Sequence, residues 1–114
     1  MRIEKFEDIL IWQKAKRLST LVYKNFENNK DYGFKDQIQR ASISIMNNTA
    51  EGFERKSNTE LKHFLFIAKG SAGEVRSMIN IAVELKYLSQ DDFKIMYNEV
   101  IEISKMISSF IKTL

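Results

Sequence analysis

Cysteine and proline are absent from the 114 residues, glycine is scarce, and His63 is the one histidine. Without cysteine there is no disulfide, no thiol nucleophile and no cysteine metal site. A lone histidine excludes a two-histidine zinc site. No stretch approaches the roughly 20 apolar residues that a membrane span needs. The opening MRIEKFEDIL is charged and has no apolar signal core. The expectation is a cytoplasmic protein that contacts no membrane and carries no cofactor.

Enzyme signatures are missing as well. There is no H-E-x-x-H and no G-x-S-x-G elbow. Lys69-Gly70-Ser71-Ala72-Gly73 lacks the G-x-x-x-x-G-K-[ST] pattern of a phosphate loop and falls inside a helical period. Arg55 and His63 stand too far apart for the arginine–histidine spacing of small helical ribonucleases. His63 reads as a surface residue, and no catalytic set is expected.

What is present is helical periodicity. Hydrophobic residues make up 44% and charged residues 29%, an ordinary soluble balance for one domain over residues 1–114. The spacing predicts a first helix from about Asp8 to Phe26, with Ile11, Ala15, Leu18, Val22 and Phe26 as its buried stripe. Asn28 to Gly33 reads as a turn. A second helix, about Phe34 to Phe53, carries two largely apolar stripes: Ile38-Ala41-Ile45-Asn48-Gly52 and Ile43-Met46-Ala50-Phe53. Its third stripe is polar: Gln37, Arg40, Ser44, Asn47 and Glu51.

Ser57-Asn58-Thr59-Glu60 is a capping box, so a third helix starts there and is expected to reach about Leu88. It has two seams: Leu61-Leu65-Ala68-Ala72-Val75-Ile79-Ala82, and one through Phe64, Ile67, Ser71, Glu74, Met78, Ile81, Leu85 and Leu88. Two seams exceed what one neighbour requires, so contact with several helices or with another subunit is expected. Ser89-Gln90-Asp91-Asp92 starts a fourth helix, with acids at the positive end of its dipole. Its Phe93-Met96-Val100-Ile103-Ile107-Phe110 seam alternates threes and fours. Short connections between long helices give an all-α, up-and-down antiparallel four-helix bundle.

Net charge is +3. Its distribution is more informative, because Lys14, Lys16, Arg17 and Lys24 occur between Ile9 and Phe26 with no acid. This is either a solvated face or a phosphate-binding one. Arg55, Lys56 and Lys62, around the start of the third helix, could extend it. Most aromatics lie on the apolar stripes, so no base-stacking platform is expected. Gly70 and Gly73 each cost a helix about 1 kcal/mol relative to alanine. They suit a close helix contact, within the chain or between subunits. Glu74, in a mainly apolar seam, would need a partner if buried; Arg40 is the candidate, and solvation at the seam edge is the alternative. Asn48 poses the same question on the second helix.

Gln37-Ile38-Gln39-Arg40-Ala41, Ser44 through Arg55, and Phe64-Leu65-Phe66-Ile67-Ala68-Lys69-Gly70-Ser71 with Glu74 resemble the four-helix-bundle proteins encoded in intervening sequences of bacterial large-subunit ribosomal RNA genes. Trp12-Gln13-Lys14-Ala15 and Tyr23 fit as well. The same family includes the accessory variability determinant of diversity-generating retroelements. The resemblance implies ring-like homopentamers with basic surfaces that bind RNA or DNA, in the retroelement case together with a reverse transcriptase. It marks Arg40, Asn48, Glu51, Gly52, Arg55, Gly70, Ser71 and Glu74 as characteristic, none of them catalytic. Gln39, Met46 and Glu54 stand where the family often has arginine, proline and a small residue, so the second helix is less basic here. The functional expectation is a non-enzymatic, oligomeric nucleic-acid-binding accessory protein. An oligomeric protein–protein adaptor is the alternative.

Overall fold

Three side chains set where the long helices begin. The computed structural model describes residues 2–114. Asp31 Oδ1 accepts from the Phe34 amide at 3.2 Å and caps the second helix, Tyr32–Glu54. Ser57 Oγ accepts from the Glu60 amide at 3.3 Å and caps the third, Asn58–Glu84. Ser89 Oγ accepts from the Asp92 amide at 3.1 Å and caps the fourth, Gln90–Lys112. The first helix, Leu10–Phe26, has no side-chain cap. A single 3-10 turn, Phe6–Asp8, precedes it, and Ile9 lies extended between the two with its side chain buried. These helices are α1 to α4 in chain order.

Three expected boundaries move. Helix α1 starts at Leu10 because Phe6–Asp8 winds separately. Helix α2 starts at Tyr32, before Gly33, because Asp31 rather than the glycine is the cap. Helix α3 stops at Glu84, short of Leu88. There Lys86 adopts φ 62°, the Tyr87 amide donates to Ala82 O at 2.9 Å and the Lys86 amide donates to Val83 O at 3.2 Å. This is the left-handed helix ending usually built on glycine. The chain reverses, and Leu88 drops back into the core at 5% exposure. The Tyr87 hydroxyl donates to Asp31 Oδ2 at 2.8 Å, tying this turn to the α2 cap.

A lysine in left-handed backbone carries a strain that glycine does not. Lys86→Gly is expected to raise stability by about 1 kcal/mol. Urea unfolding with an unchanged slope checks it.

The helices run alternately up and down as a square, α1–α2–α3–α4, and only adjacent helices touch among these four. Helix α1 is therefore diagonal to α3. The α2–α3 seam is the most extensive and α1–α4 the least. Leu18, Val22 and Phe26 from α1 meet Ile38 and Ile45 from α2, Leu65, Val75 and Ile79 from α3, and Met96, Val100, Ile103 and Ile107 from α4 in one fully buried core. The first seam of α3 is buried as its spacing predicts. Its second is buried only in part: Met78 and Leu88 enter the core, whereas Ile67, Ile81 and Leu85 remain 40–51% exposed. The bundle measures 43 × 22 × 19 Å. No described helix is long and apolar enough to cross a membrane.

Candidate nucleic-acid interface

The bases of α1 divide between its two neighbours, because a helix turns about 100° per residue. Lys14 and Arg17 turn toward α4. Lys14 Nζ pairs with Glu102 Oε1, and Arg17 Nη2 donates to Glu99 Oε1 at 3.2 Å. The hydrogen bond from Lys14, and then its charge, hold the Glu102 carboxyl below the usual carboxylate range. A carboxyl depressed in the folded state stabilises that state above its unfolded value and ceases to do so as pH falls through the folded value. The Lys14–Glu102 pair therefore adds to the thinnest seam of the bundle at neutral pH and ceases to do so in acid. Lys14 and Arg17 were expected to face phosphate, but acids some 80 residues downstream offset their charge.

Lys16 and Lys24 lie clear of α4. With Tyr23 they border a groove of about 440 Å³ between α1 and α2 whose floor includes Ile43 and Met46. The Lys16 amine sits 5.5 Å from the Trp12 ring centre. Farther along the same α2 stripe, Lys56 Nζ lies 4.9 Å from the Phe53 ring centre. Lys56 shares a polar pocket of about 320 Å³ with Arg2, Ser57 and Asn58 at the N-terminal end of α3. Its backbone is left-handed, at φ 58°. Lys16, Lys24, Lys56 and Lys62 have no carboxylate partner among the described residues. Arg55 does: it bridges Glu51 at 3.4 Å and Glu60 at 3.3 Å, with its guanidinium 5.0 Å from the Phe64 ring centre. The Glu60 carboxylate turns to Arg55 rather than back to the Ser57 amide, so the capping box is made in one direction, Glu60 amide to Ser57 Oγ.

The basic groups thus do not form one face. Lys16, Lys24 and Lys56 lie along the α1–α2 side, and Lys14, Arg17 and Arg55 are held in ion pairs. Tyr23 is the residue that the periodicity missed. It is 42% exposed and stands between two lysines. Its place off the buried stripe of α1 was the available signal.

The polar network lies on the α2–α3 seam. Ser71 Oγ donates to Ser44 Oγ at 2.9 Å, and Asn48 Nδ2 donates to Ser44 O and Ser44 Oγ at 2.8 Å each. This small, half-buried set satisfies itself within the chain and fixes the register of the two helices. Arg40 and Glu74 do not pair with each other within the chain. Arg40 Nε reaches Asp36 Oδ2 at 2.9 Å, one turn away on its own helix, and Glu74 Oε2 accepts from Gln37 Nε2 at 3.1 Å. Both residues are exposed, so neither is an isolated buried charge.

The glycines differ sharply. A Cβ on Gly52 would lie 2.8 Å from Phe64 Cβ and 3.3 Å from Leu61 Cα. On Gly70 or Gly73 it would meet nothing within 4 Å. Gly70 and Gly73 therefore serve no close contact within the chain. They are exposed with Phe66 and Ser77, at spacings of three and four, on the outer side of α3, where Gly73 also borders the α3–α4 groove.

His63 is exposed, and its ring meets Phe64 edge-on with centres 5.3 Å apart. Among the described residues no three His, Asp or Glu side chains gather as metal ligands would. Fold and surface together define a small antiparallel four-helix bundle in which two unpaired lysines, Lys16 and Lys24, edge one inter-helix groove. The family model described as 23S rRNA-intervening sequence protein matches residues 7–109. The chain belongs to that family. A crystal structure from Bacteroides thetaiotaomicron VPI-5482, a protein of unknown function from the S23 ribosomal protein family, superposes with a TM-score of 0.84. It is 23% identical, and the match covers 90% of this chain and 99% of that one, which shows a shared fold. No curated protein matches the sequence.

Proposed function

We propose that the chain is a non-enzymatic accessory protein that binds RNA or DNA as a homo-oligomer, through Lys16, Lys24 and Lys56 on the α1–α2 side. The observation that carries this is the unpaired state of those amines, against the paired state of Lys14, Arg17 and Arg55. The family's description names 23S rRNA, which makes RNA the first ligand to try. Assembly fits the same arrangement. Helix α3 presents Phe66, Gly70, Gly73 and Ser77 outward, diagonally across from α1, so a neighbour seated there leaves the lysines open. A pentamer is the assembly that the resemblance suggests. A ring repeats each small patch by symmetry and builds a field that one subunit's +3 lacks.

The test is an anisotropy titration across salt concentrations. Each phosphate contact contributes roughly −0.9 on duplex, or −0.7 on single strands, to the slope of log affinity against log salt. Lys16→Gln, Lys24→Gln and Lys56→Gln together should flatten the slope, for each subunit on the strand, by about 2 units on single strands and about 3 on duplex. Lys14→Gln with Arg17→Gln should change it less. Absence of binding at low salt by the intact oligomer ends the nucleic-acid reading. The adaptor reading then replaces it, with a reverse transcriptase as the first protein to try. That alternative has its own observation, an apolar groove of about 450 Å³ between α1 and α4 lined by Ile3, Ile9, Leu10, Met106 and Phe110.

A further inference from the structure

We infer that the α1–α2 groove takes an unstacked nucleobase, so that the protein prefers single strands to duplex. The inference rests on the nucleic-acid reading above and deepens it. Three observations converge on one place. The floor, Ile43 and Met46, is apolar and open, with the ring of Tyr23 exposed at 42% beside it. Lys16 and Lys24 edge the groove with no acid among its lining residues. Ser19, also in the lining, is 4% exposed, yet its hydroxyl has no hydrogen-bond partner. A buried hydroxyl is ordinarily satisfied by the chain, by water or by a ligand, and this one has no partner within the chain.

The chemistry selects the occupant. An apolar peptide segment would fill the floor but leave two ammonium groups and a hydroxyl unanswered. An anion alone would answer the amines and leave the floor and the phenol ring in water. A nucleotide in a strand does both. Its base has a π-face for Tyr23 and a polar edge within range of a rotated Ser19 hydroxyl, and its flanking phosphates meet the lysines. Stacked bases of a duplex do not offer that face. Most aromatic rings lie on the apolar stripes, whereas Tyr23 lies off the buried stripe of α1 and keeps its ring open to solvent.

The experiment titrates the intact oligomer with oligothymidylate, a tetrahydrofuran abasic strand of the same length, and a duplex. The wild-type protein should bind oligothymidylate more tightly than either other probe. Tyr23→Ala should reduce oligothymidylate affinity roughly five- to tenfold and leave abasic-strand affinity unchanged. Tyr23→Phe and Tyr23→Trp should restore it, and Ser19→Ala should reduce it more modestly. If Tyr23→Ala alters assembly, Tyr23→Leu keeps bulk without a π-face and is read in the same way. Equal binding of normal and abasic strands, or equal loss on both in the variant, overturns the base-binding groove while the phosphate surface stands. Failure of every probe at low salt overturns the nucleic-acid reading itself, and this inference with it.

Discussion

Gly52→Ala should lower the stability of the bundle by about 2 kcal/mol. Two effects oppose each other. Alanine improves helix propensity by about 1 kcal/mol over glycine. Against that, the new methyl would stand 2.8 Å from Phe64 Cβ, 3.1 Å from Leu61 Cδ1 and 3.3 Å from Leu61 Cα. Leu61 Cδ1 can swing aside, but Phe64 Cβ and Leu61 Cα are fixed to the backbone of α3. The two helices must therefore separate along the most extensive seam of the bundle. Overpacking of this kind costs typically about 1–3 kcal/mol, and the upper end applies because the clash is with backbone-fixed atoms. Separation would also stretch the Ser71–Ser44 bond, now 2.9 Å. The check is chemical denaturation of Gly52→Ala beside wild type. Equal or greater stability of the variant would mean that α2 and α3 do not approach this closely.

Much of the fold was legible because it repeats. Leu18, Val22 and Phe26, or Ile103 and Ile107, return every three or four residues, and burial follows that period without reference to partners. The caps at Ser57 and Ser89 were legible because the bond they make is three residues long. The ends written in backbone conformation were not. Lys86 is an ordinary helix former, and nothing in its identity announces φ 62°. The candidate surface was hidden for a related reason. That Lys14 and Arg17 are paired while Lys16 and Lys24 are not depends on which side of α1 faces α4, and on Glu99 and Glu102 far along the chain. The acid-free run in α1 was real; its isolation was not. Arg40 and Glu74 fail as partners in the chain for the converse reason. Asp36 is one helical turn from Arg40, and Gln37 lies across from Glu74.

Gly70→Gln with Gly73→Gln should dissociate the proposed homo-oligomer while leaving each subunit folded. In the single chain these positions are open, with nothing within 4 Å of an added Cβ. Glutamine is a good helix former, so each substitution should stabilise the isolated helix by somewhat under about 1 kcal/mol. A chain that carries both helix-weakening glycines over open space gains nothing from them by itself. A second helix backbone laid between Phe66 and Ser77 would gain, because glycine lets the two axes approach more closely than longer side chains permit. The two effects have opposite signs and separate the intrachain account from the intersubunit one. On the intrachain account, the double variant is more stable and its mass by light scattering is unchanged. On the intersubunit account, mass at micromolar concentration falls to that of one 13.4 kDa chain and helical content is kept. On the proposed ring, nucleic-acid affinity should fall with the mass, although Lys16, Lys24 and Lys56 are untouched, because the field summed over its subunits would be lost. Wild type already running as a monomer, or the variant retaining the wild-type mass, would remove α3 as the assembly face. Retained mass with weakened binding would instead place Gly70 and Gly73 against the nucleic acid.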